Sequence, residues 1–73
     1  FVAIPNPVKN FLNLSYVNNI DNVEVFNLLG QKVSSTKLNT TQGQIDMSNL
    51  TNGVYLVKVT SNNQVKAIKV IKE

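Results

Sequence analysis

The chain has 73 residues and contains neither cysteine nor histidine. Disulfides and cysteine-based zinc sites are therefore excluded, so packing alone must stabilise one small domain. Seven lysines against four acidic residues give a net charge of +3 without any arginine or tryptophan, a composition that disfavours nucleic-acid binding.

The first strand signals lie in the first sixteen residues. An apolar run at 1–4 is stopped by the Pro5-Asn6-Pro7 motif, a rigid corner because proline fixes φ and lacks a backbone donor. From 11 to 16 apolar and polar residues alternate, which is the pattern of a half-buried antiparallel strand.

The remaining strand patterns are short and separated by turn residues. With the first two stretches they cover residues 1–4, 11–16, 23–28, 32–37, 44–47, 55–60 and 65–71. We expect loops at 18–22 and 38–43, which are rich in asparagine, threonine or glycine. No stretch holds the apolar stripe of a helix for three turns. The sequence therefore predicts one all-β domain over residues 1–73, an antiparallel sandwich of about seven short strands.

The last third of the chain predicts a terminal β-hairpin. Asn52 and Gly53 break the chain, and Tyr55 then begins an alternation of apolar and polar residues. Asn62 and the asparagine after it supply the turn, because asparagine tolerates positive φ. The second strand of the hairpin ends beside the last residue.

The acidic residues give no sign of a catalytic or metal site. They are scattered over loops, one strand and the chain end, at Asp21, Glu24, Asp46 and Glu73. The absence of histidine and cysteine removes the usual general base, the thiol nucleophile and most transition-metal ligands. We therefore expect no enzymatic activity, no small-molecule substrate, no cofactor and no metal. No window approaches the roughly 18 apolar residues of a membrane span.

Three lysines, Lys66, Lys69 and Lys72, recur at every third residue of the last strand. In a strand Lys66 and Lys72 share one face and Lys69 takes the other. The lysines either protect a terminal edge strand from aggregation or form a basic strip that docks an acidic partner. On charge alone, protection of the edge strand from aggregation is the favoured role of the lysines.

Three stretches together resemble the C-terminal sorting domain of type IX secretion cargo. They are the Pro5-Asn6-Pro7 motif, the segment at 25–33, and Leu50-x-x-Gly53-x-Tyr55-x-Val57-x-Val59 followed by the three lysines. They occur in the family's order over essentially the whole chain. The resemblance marks as motif residues, and as candidates for translocon recognition, Pro5, Asn6, Pro7, Gly53, Tyr55, Lys66, Lys69 and Lys72.

The resemblance implies an Ig-like sandwich, a C-terminal domain of a larger secreted protein from a Gram-negative bacterium; a first residue other than methionine agrees with such a piece. A domain of this family directs folded cargo from the periplasm across the outer membrane, to the cell surface or the medium. The implied partners are the type IX translocon, its shuttle and sortase-like components, and the upstream cargo domain.

With the family in view, docking becomes the favoured role of the lysines. Gly53 is expected to supply backbone freedom and Tyr55 to anchor the core. Two alternatives stay open, a structural Ig-like spacer and an accessory carbohydrate-binding module of a secreted enzyme. The second would use Tyr16 and Tyr55 as sugar platforms, although both lie in the apolar phase of their strands, where core packing is expected.

Overall fold

The computed structural model describes all residues, 1–73. The chain forms five β-strands and no helix. The strands are β1 (Val2–Ile4), β2 (Phe11–Phe26), β3 (Lys32–Asp46), β4 (Gly53–Ser61) and β5 (Gln64–Lys72). All five join one antiparallel sheet in the order β1-β2-β4-β5, with β3 also paired to β2. The predicted all-β class is confirmed. None of the elements is a helix long and apolar enough to span a membrane.

Strand β2 bends sharply and takes part in both halves of the sheet. Residues 11–15 lie between β1 and β3, whereas residues 22–26 lie between β3 and β4. Register shifts on either side of Ile20 mark the bend, because irregular pairing increases local twist and curvature. The sheet folds over on itself, and its smallest extent of 16 Å fits two layers about 10 Å apart.

The structure has five strands where about seven were expected, because two segments predicted to be loops are continuous strand. Residues 18–22 belong to β2 and residues 38–43 belong to β3. Ile20 is fully buried and pairs with Thr40. Asn39, which precedes Thr40, adopts a φ of +51°. Burial and cross-strand pairing therefore outweigh the local turn propensity of the asparagines. Each of β2 and β3 supplies one segment to each layer, so seven predicted segments form five strands.

A single small core lies between the two layers. Alternate residues of each strand face it, and its buried members are Val8, Leu12, Leu14, Ile20, Val23, Val25, Ile45, Met47, Tyr55, Val57, Val59 and Val70. Only 14 of 73 residues are buried, so the free energy of unfolding is expected to be small.

The terminal hairpin of β4 and β5 is confirmed. Its nine cross-strand pairs run from Ser61 and Gln64 at the turn to Gly53 and Lys72 at the open end. The two turn asparagines, at 62 and 63, have φ values of +52° and +63°. Positive φ at both central residues is the geometry of a type I′ turn, whose twist matches that of the flanking strands.

Candidate recognition site at the terminal strand

The Pro5-Asn6-Pro7 motif lies along the outer edge of β5. The side-chain nitrogen of Asn6 donates to the carbonyl oxygen of Lys69 at 3.4 Å, and its Oδ1 accepts from the backbone nitrogen of Ile71 at 3.0 Å. A carboxamide offers the same donor and acceptor as a peptide group. The Asn6 side chain therefore substitutes for one peptide unit of a neighbouring strand.

Val8 extends this contact by backbone pairing parallel to β5. Its nitrogen donates to the carbonyl oxygen of Ile71 at 2.7 Å, and its carbonyl oxygen accepts from the nitrogen of Glu73 at 2.8 Å. The Val8 side chain is fully buried and fixes the segment to the core. We call residues 6–8 the clasp, because they hold the end of β5 from the side opposite β4.

The clasp covers only part of the β5 edge. Backbone groups of alternate strand residues point to alternate sides, and those of Ile71 point to the clasp. By the same alternation the groups of Val65 and Ala67 point outward, where no strand pairs with them. The unpaired part of the edge therefore runs from residue 65 to the N–H of Lys69.

The structure does not gather the three lysines into one strip. Lys72 is buried on the core side, where its Nζ donates to the carbonyl oxygen of Glu73 at 2.8 Å. Lys66 lies on the same face, and its Nζ is 3.0 Å from the Tyr16 hydroxyl oxygen and 5.1 Å from the ring centroid. Lys69 points to the opposite, outer face and is exposed without an ion-pair partner.

The contact with Lys66 changes the acidity of Tyr16. The hydrogen bond from Lys66 is the main cause that holds the pKa of the Tyr16 phenol below its usual value; desolvation opposes it, and the positive charge of Lys66 adds to it. The ring of Phe1 packs edge-on against Tyr16 with centroids 6.5 Å apart. Lys66 thus ties β5 to the bend of β2.

Gly53 and Tyr55 shape the end of β4 that faces the clasped part of β5. Gly53 has a φ of +153°, a conformation that favours glycine, and it pairs with Lys72. Tyr55 is buried in the core, as predicted, and its hydroxyl donates to the carbonyl oxygen of Thr51 at 2.7 Å. The hydroxyl therefore fastens the start of β4 to the preceding turn.

Asn27 is a structural residue that the sequence patterns did not single out. Its Oδ1 accepts from the backbone nitrogens of Leu29 and Gln31, both at 3.0 Å. These bonds close the turn between β2 and β3, where Gly30 has a φ of +82°. Asparagine three residues before glycine is the available signal for such a turn. The turn leaves Leu28 exposed beside the end of β2.

Two motifs that are far apart in the sequence, the clasp and the Gly53/Tyr55 pair, therefore meet at one strand. The clasp lies on one side of β5, the Gly53 and Tyr55 pair on the other, and the turn at 27–31 adjoins the next strand of the sheet. This arrangement defines a small β-domain whose terminal strand is held on both sides.

The chain belongs to the family of secretion system C-terminal sorting domains, whose family model matches residues 3–73. A relative, ulvan lyase NLR42 of Nonlabens ulvanivorans, is 39% identical over 70 residues, which are 92% of this chain and 13% of the relative. The chain therefore spans a small fraction of that relative's length. The resemblance inferred from the motifs is confirmed: the domain is a type IX secretion signal and not a catalytic domain, and the protein that carries it is secreted from the cell.

Proposed function

We propose that the type IX translocon recognises this signal as a folded domain, through β5 and the side chains beside it. The observation that carries the proposal is the convergence of the separate family motifs on the two sides of β5.

The fold fixes where β5 is presented. Nine cross-strand pairs with β4 hold one edge of β5, and the clasp holds the end of the other. An unfolded tail would contain the same residues, but a receptor would have to order them at a cost in conformational entropy. In this proposal Pro5, Asn6, Pro7, Gly53 and Tyr55 act by holding β5 in place.

Direct contact is proposed for Lys69 and the unpaired edge at 65–69. An edge with free backbone groups can receive a strand from a receptor, and an exposed lysine beside it favours an acidic one. Lys66 and Lys72 support the strand from the core side. Strand β3 also has an unpaired edge, but half of its exposed residues are serine, threonine or glutamine, and one of its two lysines, Lys32, is paired with Glu24.

The remaining steps of the proposal follow the route of export. The attached cargo crosses the outer membrane from the periplasm and reaches the cell surface or the medium. The partners are the upstream cargo domain, the translocon, and its shuttle and sortase-like components.

The geometry gives no support to the carbohydrate-binding alternative. Tyr55 is in the core, and Tyr16 is half-buried between Phe1 and Lys66. Neither ring is an open platform for a sugar, and the chain has no tryptophan to supply one.

The test uses a fluorescent reporter fused to an export leader and to this domain, in a host with type IX secretion. One variant replaces Lys69 with glutamine, and its control replaces Lys37, an exposed lysine outside β5 that likewise makes no ion pair. Both variants remove the same charge. We expect the first variant to accumulate inside the cell although its domain is still folded, as judged by thermal denaturation. We expect the control to be exported.

A second variant, Ala67→Pro, tests the open edge itself. Proline removes an N–H that points away from β4, so no hydrogen bond of the sheet is lost. Reduced export with an unchanged melting temperature supports recognition of the edge. Normal export of both the lysine variant and Ala67→Pro would overturn the proposal that β5 is recognised directly.

A further inference from the structure

The hairpin has a groove on the face of the sheet opposite the core. Because side chains alternate along a strand, Phe26 of β2 and Val54 and Leu56 of β4 point outward. Together with Leu28 they line a groove of about 350 Å³, which Lys58 and Lys69 border. We call these six residues the outer groove.

The outer groove is apolar where the solvent face of an antiparallel sheet is ordinarily polar. Leu28 is 77% exposed and Leu56 is 38% exposed. The bonds that Asn27 accepts hold the turn, so Leu28 is presented at a fixed position. Contiguous exposed apolar side chains with a polar rim are typical of interaction sites.

Both lysines at the rim are free to meet a carboxylate. The Nζ of Lys58 lies 4.7 Å from the ring centroid of Phe26, and Lys69 pairs across the strands with Leu56. Glu24 is the cross-strand neighbour of Lys58, but its Oε2 is bound to Lys32 at 3.0 Å. The groove therefore keeps two uncompensated positive charges beside an apolar floor.

Three of the four acidic side chains of this chain already have a partner and only that of Glu73 has none, so a second copy offers few free carboxylates to the groove. Asp21 accepts a hydrogen bond from Asn19, Glu24 is bound to Lys32, and Asp46 accepts from Ser48. A bilayer is also a poor match, because a concave groove is complementary to a protruding side chain.

We propose that the outer groove docks a protein segment that presents an apolar side chain flanked by carboxylates. The inference rests on the proposed sorting function and adds to it the chemistry of the partner surface. It makes Lys58 and Lys69 partners in recognition although the two residues lie on different strands.

The test compares two charge reversals in the reporter fusion. One carries Lys58→Glu and Lys69→Glu, and the matched control carries Lys9→Glu and Lys37→Glu at exposed positions outside the groove. Both change the net charge by the same amount. We expect exported reporter to fall at least tenfold in the first and to stay at the wild-type level in the control, with both tails folded.

A second pair tests the apolar floor. Leu28→Asp places a charge in the groove, and Val17→Asp places one at a position that is 85% exposed in the bend of β2. Loss of export for Leu28→Asp alone supports the groove. Wild-type export of both Leu28→Asp and the Lys58/Lys69 variant overturns the inference and leaves the sorting function standing. A wild-type fusion that is not exported contradicts the sorting function itself.

Two further measurements on the purified fusion identify the competing occupants. A dimer in sedimentation that the Lys58/Lys69 variant loses would show a second copy in the groove. Flotation with phosphatidylglycerol vesicles that Leu28→Asp abolishes would show a membrane surface. Either result overturns the inference of a protein partner with carboxylates, and absence of both is the expected result.

Discussion

Replacement of Asn6 by alanine should release the edge of β5 from the clasp. The change removes the 3.0 Å bond from Ile71 and the longer 3.4 Å bond to Lys69. A hydrogen bond contributes about 0.5–1.5 kcal/mol net, so we expect the free energy of unfolding to fall by about 1–2 kcal/mol. A domain of this size is stable by about 4–11 kcal/mol and therefore stays folded.

Urea denaturation measures the global loss, and amide hydrogen exchange measures the local one. Since a loss of 1 kcal/mol lowers Tm by about 4–8 °C in a domain of this size, the expected fall is readily measured. The amide of Ile71 should exchange faster. Asn6→Asp keeps the acceptor for Ile71 but turns an acceptor oxygen towards the carbonyl oxygen of Lys69, so this variant should also unfold at a lower urea concentration than wild type.

The control for Asn6 is Asn49→Ala, because Asn49 is exposed and its side chain makes no hydrogen bond within the chain. It should unfold at the same urea concentration as wild type. If Asn6→Ala also unfolds there and leaves the exchange of Ile71 unchanged, the clasp does not hold β5 and the reasoning is refuted.

Three other predictions concern the residues around β4 and β5. Gly53→Ala should lower the free energy of unfolding by about 1–3 kcal/mol because of its φ of +153°, and unchanged urea denaturation would contradict this. Tyr55→Phe should cost about 1 kcal/mol, since the bond to the Thr51 carbonyl is lost; equal stability in urea would count against that bond. Lys66→Gln should raise the pKa of Tyr16 in an NMR titration of its ring carbons. Because the folded-state pKa of this phenol is lowered, wild-type stability should rise as the pH increases through it, and this alkaline gain should be absent in Lys66→Gln.

The terminal hairpin could be predicted from sequence because its signals are local. Alternation about Tyr55 sets which side chains face the core, and two consecutive asparagines suit a turn with positive φ. The placement of Lys69 on the face opposite Lys66 also follows from the alternation alone.

Long-range contacts explain what could not be predicted. Asn6 and Ile71 are 65 positions apart, and nothing in the local sequence around either residue predicts their contact. Ile20 lies among turn-forming residues, but because its side chain is buried in the core, β2 continues through the bend. In both cases tertiary contacts decide the structure, and a single sequence shows only local preference.

The most direct test of the account is the transplant of residues 1–73 onto a fluorescent reporter behind an export leader, in a host with type IX secretion. A matched fusion lacks residues 65–73, and the reporter is measured in the medium, the outer membrane and the periplasm. The account predicts that the full fusion leaves the cell and that the shortened fusion stays in the periplasm. Retention of the full fusion in the periplasm, with its domain folded, would contradict it.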